Sequence, residues 1–327
     1  MKYTPAKSIE KLIFPSSTRS HEFLKFLITL KRLKSRLKYI HLSGKQITCI
    51  NLAAMESLLG KWTETIVLEN PSTKVDIGHI TMLISAATRL KTFALQSRSR
   101  ISVGDYDLFL RELMRAGETT RVHHQYPQIN ARLRSLQISC TAIQNVNFSV
   151  LGDLGKFFPR LEMLRIENWR IIDIGQVTPI RTLRGLSLVG IDVKKNGFVR
   201  MLSTYLRAFP ALEILFLGAR ETNILGWKFF VRRPELRGIF KGIKLPKLKC
   251  LWLRAWAVDC QDLVSLKSNA LGWIVIEDCK GLNGGWIKAV EGDGAIVIES
   301  DTGFKDGIDF RRYANLAKNK ITFTGVY

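Results

Sequence analysis

A short aliphatic pattern recurs along this chain and constrains its fold more than any other feature of the sequence. In the copy that begins at Leu248, aliphatic residues stand at the first, fourth and sixth positions, and a small residue, Ala255, stands at the eighth. This alternation around the fourth and sixth positions is typical of a short strand with one buried face. Clear copies begin at Leu37, Leu90, Leu133, Leu161, Leu183, Leu212, Leu248 and Leu271. Weaker copies begin at Thr63 and lie at Ile9–Phe14 and Ile296–Glu299.

The spacing of the copies predicts how the strands are arranged. Counted from the first residue of each copy, the steps are 26, 27, 43, 28, 22, 29, 36 and 23 residues. A period of about 20–29 residues with this strand pattern indicates an α/β leucine-rich repeat solenoid, with a curved parallel sheet on the concave side and helices on the convex side. The two long steps indicate insertions, at about residues 116–130 and 220–245. We therefore predict one solenoid domain over residues 1–327, with a C-terminal cap at about 281–327.

Three repeats carry a more specific resemblance. The segments 158–166 (FPRLEMLRI), 209–217 (FPALEILFL) and 245–253 (LPKLKCLWL) resemble the repeats of fungal F-box proteins. They belong to the irregular, long-repeat kind of leucine-rich repeat that is also found in ribonuclease-inhibitor-like proteins. The resemblance implies a scaffold without chemistry of its own, and it implies target recognition for a ubiquitin ligase if it reflects ancestry. An F-box itself is not seen ahead of the repeats.

The turn after each strand departs from the usual family pattern. The family places Asn or Cys at the ninth position of the repeat, and here only Cys279 stands there. A small or turn-forming residue occupies the eighth position instead, which predicts a turn with a close backbone approach. These residues are Gly44, Asn70, Ser97, Cys140, Asn168, Gly190, Ala219, Ala255 and Asp278.

Charge and cysteine content restrict the partners and the compartment. The formal net charge of +22 favours polyanions, namely nucleic acid, acidic protein faces or anionic lipid, without selecting among them. The alternative is a generally basic, soluble protein, or a fragment whose acidic partner region is missing. The five cysteines form no C-x-x-C pair, which indicates reduced thiols. No apolar run is long enough to span a membrane and no signal peptide is seen, so we expect a monomer in the cytoplasm or nucleus.

No catalytic signature was found in the sequence. The phosphate-binding loop, the nucleophile elbow, the zinc-protease helix and the glycine-rich dinucleotide turn are all missing. The adjacent His123 and His124 are interpreted as loop residues, because neighbours on a regular helix cannot both face one metal ion. We therefore expect a protein that is not an enzyme, with no metal and no cofactor.

Two segments could contact nucleic acid or simply support the fold. A basic amphipathic helix is predicted from His21 to Arg36, as a polyanion contact or as the solvated outer face of the solenoid. The insertion at 220–245 interleaves Arg and Lys with aromatic residues, which could stack on bases or pack against the solenoid. Those aromatic residues are Trp227, Phe229, Phe230 and Phe240. Further helices are predicted at Leu52–Leu59, Ile77–Ala87 and Leu108–Arg115.

The concave face is the strongest candidate for a binding site. The third, fifth and seventh positions of each repeat face outward there, and they are mostly small or polar in the first half of the chain. In the second half they combine large apolar side chains with charged ones, which is typical of a protein-binding surface. The predicted contact residues are Met163, Arg165, Ile214, Phe216, Trp252, Arg254, Trp273, Val275 and Glu277. Two alternatives remain: the insertion or the end of the chain covers the aromatic residues, or the protein is a nucleic-acid or ribonucleoprotein binder.

Overall fold

A computed structural model shows one parallel sheet in which eleven strands follow the order of the chain. The model describes residues 10–14, 20–32, 36–44, 47–59, 62–71, 75, 77–97, 111, 132–146, 148–171, 177–191, 197–219, 234–266, 270–277, 279–281 and 296–300. The strands are β1 (Lys11–Phe14), β2 (Tyr39–Ser43), β3 (Thr65–Glu69), β4 (Thr92–Ser97), β5 (Ser135–Val146), β6 (Met163–Ile171), β7 (Gly185–Ile191), β8 (Ile214–Ala219), β9 (Cys250–Arg254), β10 (Trp273–Glu277) and β11 (Ile296–Ser300). From β2 to β10, every strand begins at the third position of a predicted repeat.

Equivalent positions of neighbouring repeats lie side by side. Leu186, a fourth-position residue, pairs with Leu164 on one side and with Leu215 on the other. Leu215 in turn pairs with Leu251. A parallel sheet whose strands keep both chain order and repeat register is the architecture of a leucine-rich repeat solenoid. The predicted α/β solenoid fold is therefore confirmed.

The core lies between one face of this sheet and the helices. The described helices are α1 (Ser20–Arg32), α2 (Cys49–Glu56), α3 (Ile77–Ala86), α4 (Phe148–Phe157), α5 (Phe198–Leu206) and α6 (Cys260–Ser265). Fourth- and sixth-position residues such as Leu186 and Leu188 are buried in the same cluster as Phe23 of α1 and Tyr205 of α5. The opposite face of the sheet, here called the concave face, carries the third, fifth and seventh positions.

The predicted helices are largely present, but three others were not anticipated. Helices α1, α2 and α3 lie within a few residues of their predicted bounds, and only Arg111 of the helix predicted at 108–115 is described. Helix α4 was missed because its two glycines lower helix propensity. One of them, Gly155, is required by a close approach, since a Cβ there would lie 2.4 Å from the Thr178 carbonyl oxygen.

The described end of the second insertion is part of the core. Leu236, Ile239 and Phe240 are fully buried. The Asp262 carboxylate of α6 accepts a hydrogen bond from the backbone N–H of Gly238, which holds this segment in place. Phe240 thus packs against the solenoid, whereas Trp227, Phe229 and Phe230 lie outside the described residues, as does the insertion at 116–130. Of the predicted cap, β11 extends the sheet beyond β10.

The predicted sharp bend at the eighth position is present in five of its eight described residues, whereas Ser97, Cys140 and Ala219 continue their strands. The five have a positive φ, which turns the backbone sharply and favours Gly or Asn. They are Gly44 (73°), Asn70 (52°), Asn168 (59°), Gly190 (67°) and Ala255 (61°). Gly190 also meets the preceding turn closely, because a Cβ there would lie 2.2 Å from Oδ1 of Asn168. Successive turns therefore stack against each other at the end of the strands.

Candidate partner-binding face

The nine predicted contact residues lie on one face of five adjacent strands, β6 to β10. The strand register places their side chains in three rows that run across the strands. The third-position row contains Met163, Gly185, Ile214, Cys250 and Trp273; the fifth-position row contains Arg165, Ser187, Phe216, Trp252 and Val275; the seventh-position row contains Glu167, Val189, Gly218, Arg254 and Glu277. The three rows together are the candidate site.

The fifth-position row contains a small second core. Phe216, Trp252 and Val275 are only 4%, 3% and 5% exposed, and Val189 packs against them. The rings of Phe216 and Trp252 are stacked, with centroids 4.6 Å apart and planes inclined by 22°. This burial matches the alternative in which the aromatic residues are covered. These three side chains therefore pack against one another on the concave face and expose little surface to a partner.

The third-position row remains partly accessible. Met163, Ile214, Cys250 and Trp273 are all half-buried and apolar, and they follow one another across β6, β8, β9 and β10. Gly185 of β7 stands between Met163 and Ile214, adds no side chain and is itself buried, so it interrupts the row. Burial raises the pKa of the Cys250 thiol to about 12, so the thiol stays neutral and unreactive at physiological pH.

Charged side chains border the apolar rows on the seventh-position side. Arg165 forms an ion pair with Glu167, whose carboxylate also accepts a hydrogen bond from the Ser139 hydroxyl. At the other end, Nε of Arg254 lies 3.6 Å from Oε1 of Glu277. Glu277 is only 1% exposed, and its carboxylate oxygens accept no hydrogen bond from another described residue. Both arginines keep part of their surface accessible, so the border presents positive charge.

A second set of charges was missed by the sequence reasoning. It lies at the edge where the strands begin, at the second position of successive repeats, and its members alternate largely in sign. Five ion pairs join neighbouring repeats there: Glu10–Lys38 (2.9 Å), Glu64–Lys91 (2.9 Å), Arg134–Glu162, Glu213–Arg184 (2.6 Å) and Glu213–Lys249 (3.1 Å). The alternating signs are readable from the repeat alignment, so comparing second positions could have found this set.

Glu213 is the most buried member of that set. Burial alone would raise the pKa of its carboxyl, but hydrogen bonds from Arg184 and Lys249 outweigh burial and hold the pKa below its ordinary value. Because the pKa is lower in the folded state, the stabilisation is complete above the unfolded pKa of about 4.3. It disappears as the pH falls through the folded value.

We therefore expect the substitution Glu213→Gln to lower the free energy of unfolding by about 1 kcal/mol at neutral pH, since both partner side chains are half-exposed. The difference from the native protein should vanish in acid, which urea unfolding at several pH values would measure. Glu162→Gln is the matched control, because its exposed pair with Arg134 should contribute less. A pH-independent loss would contradict the proposed role of the charge.

The described residues contain neither a cluster of metal ligands nor a membrane-spanning helix. No group of three or more His, Cys, Asp or Glu side chains is placed there to hold a metal ion. No described helix combines the length and apolar character that crossing a bilayer requires. Neither finding adds a catalytic candidate to the concave face.

Among known proteins, only solved structures show similarity to this chain. No protein-family model matches the chain, and no curated protein matches it in sequence. An internalin from Listeria monocytogenes is similar in structure, with 12% identity and a TM-score of 0.47 over 84% of this chain and 70% of that chain. A protein from Bacteroides fragilis has 13% identity and a TM-score of 0.39 over 88% and 73%. The assignment as a leucine-rich repeat solenoid rests on the order and register of the strands.

Proposed function

We propose that this protein is a non-catalytic scaffold that binds a protein partner on the concave face of β6 to β10. The observation that carries the proposal is the in-register row of half-buried apolar side chains formed by Met163, Ile214, Cys250 and Trp273. A contiguous apolar strip with a charged border is typical of a protein interface. Trp273 is the expected hot spot, because tryptophan contributes disproportionately to binding energy at interfaces.

The buried fifth-position row beside this strip supports the proposal. Phe216, Trp252 and Val275 are held by each other, so the strands that carry the strip cannot move independently. A surface that is already ordered loses less conformational entropy when a partner binds. Arg165 and Arg254 at the border favour a partner with acidic groups beside its apolar side chains.

Target recognition for a ubiquitin ligase is the most specific form of the proposal. It rests on the resemblance of segments 158–166, 209–217 and 245–253 to F-box repeat tails. In that role the concave face holds the target, and an adaptor-binding module acts elsewhere. Removing the protein from cells should then reduce ubiquitination of the partner bound at Trp273. Unchanged ubiquitination would reject the ligase role and leave the scaffold role standing.

We expect the substitution Trp273→Ala to weaken partner binding at least about tenfold, the loss typical of a hot-spot residue. The partner is first captured with the native protein, and its affinity is then measured by calorimetry. The control is Ile50→Ala, which removes an apolar side chain that is 71% exposed on α2, away from the concave face. A folded Trp273→Ala protein that binds as tightly as the native protein would contradict the proposed site.

A further inference from the structure

Basic residues recur immediately before the first position of the repeats. Arg, Lys, Trp, Thr or Ala occupies this place in the nine repeats from β2 to β10, and none is acidic. Where Thr182 stands there, an arginine precedes it by one residue. The basic residues at or next to this place are Arg36, Arg89, Arg132, Arg160, Arg181 and Lys247, and all are exposed. The first five, together with Trp62, are here called the arginine row.

The backbone aligns the arginine row across six neighbouring strands. Two residues after the row, the second-position amides bond to the second-position carbonyl oxygens of the preceding repeat. The N–H of Arg134 donates to the carbonyl of Lys91 (2.8 Å), and the N–H of Glu162 donates to that of Arg134 (2.7 Å). Strand spacing of about 5 Å then makes the row from β2 to β7 roughly 25 Å long. The row is a line of positive charge one residue wide.

The neighbouring acidic residues do not neutralise this line. Glu64, Glu162 and Glu213 are paired with basic residues of the second-position set. Within the described part of the chain, none of the five arginines of the row takes part in an ion pair. The guanidinium of Arg132 instead donates a hydrogen bond to the carbonyl of Thr88. The charge of the row is therefore available to an external anion.

Trp62 organises the start of the row. The guanidiniums of Arg36 and Arg89 lie over its ring, 4.9 Å and 5.7 Å from the centroid. Such cation–π contacts hold the two side chains in place, although their like charges repel each other. An anion beside them would relieve that repulsion. Because guanidiniums already cover the ring, a nucleobase is not expected to stack on it.

From these observations we infer that the arginine row binds the phosphate backbone of a single-stranded nucleic acid, without reading its sequence. A narrow line of regularly spaced charges fits a linear polyanion, whereas a membrane surface needs a broad plane of charge. The ring of Trp62 positions arginines and does not take up bases, so contacts to phosphate dominate. This site lies at the edge of the sheet and is separate from the concave strip.

The test is the binding of a labelled oligouridylate to the native protein and to two double variants. R132E/R160E reverses two neighbouring charges of the row. K25E/R200E reverses two exposed charges on α1 and α5 and lowers the net charge equally. We expect the row variant to bind at least about tenfold more weakly at about 0.1 M salt, with a salt slope lower by about 1.4, since each phosphate contact contributes about 0.7. The helix variant should retain most of the affinity.

Several outcomes would overturn the inference. Equal weakening of both variants would show that diffuse charge, and not the row, attracts the RNA. No binding by the native protein at low salt would reject the site outright. Equal affinity for polyglutamate or for phosphatidylserine vesicles would assign the row to a different anion. Thermal melting of both variants near that of the native protein shows that the loss arises at the site, and Trp273→Ala should leave RNA binding unchanged.

Discussion

Replacing Trp252 with alanine is expected to lower the free energy of unfolding by about 3–5 kcal/mol, the usual cost of removing a buried tryptophan side chain. The side chain is 3% exposed, lies in register between Phe216 and Val275, and stacks on the former. Its removal leaves a cavity in the second core and frees the Phe216 ring. Urea unfolding measures the loss as a lower midpoint at constant slope.

Comparing Trp252→Ala with Trp273→Ala distinguishes a residue needed for stability from a residue needed for binding. Trp273 lies on the next strand and is half-buried, so its removal should cost less stability than removal of Trp252. Trp252→Ala should therefore reduce stability most, while Trp273→Ala should reduce binding most. The reverse pattern, with Trp252→Ala stable but unable to bind, would mean that Trp252 is itself a contact residue and that its burial is relieved by the partner.

Replacing Gly190 with alanine is expected to lower the free energy of unfolding by about 3 kcal/mol, from two causes that add. The φ of +67° is a left-handed conformation that costs an L-residue about 1–2 kcal/mol. The new Cβ would also lie 2.2 Å from Oδ1 and 3.1 Å from Cα of Asn168, so the Asn168 side chain must rotate away and its backbone must shift slightly. Chemical unfolding again measures the loss.

A second glycine separates the two causes. Gly197 also has a positive φ, of 91°, but a Cβ there meets nothing within 4 Å. Gly197→Ala should therefore show the conformational cost alone, about 1–2 kcal/mol. If both variants lost the same stability, the close contact between successive turns would contribute nothing.

Strand positions and register were predictable because the same aliphatic pattern marks the strand in every repeat. Aliphatic residues at the fourth and sixth positions, such as Leu186 and Leu188, are needed in every repeat to fill the same core layer. The turn at the eighth position was predictable for a similar reason, since few residues tolerate a positive φ. Helix α4 was not predictable, because glycine at position 155 disfavours a helix. The reason for this glycine, the close approach of the Thr178 carbonyl oxygen, is visible only in the structure.

The candidate site was only partly predictable. The strand pattern correctly assigns Trp252 and Trp273 to the same face of the sheet, but both stand at outward positions of otherwise similar repeats. One is buried and the other half-buried, and this difference depends on neighbours that are distant in sequence. The second-position ion pairs were missed, although aligning three repeats by sequence already places Glu213 beside Arg184 and Lys249.

The second-position charges differ from repeat to repeat, so removing one repeat changes which charges lie side by side. Excising residues 63–89 would preserve the aliphatic layers but place Lys38 beside Lys91, two like charges in place of the attractive pair of Glu64 with Lys91. Excising residues 133–160 would instead bring Lys91 beside Glu162, which are opposite in sign. The removal of a whole repeat therefore changes which charges meet along this edge, independently of how well the leucines stack.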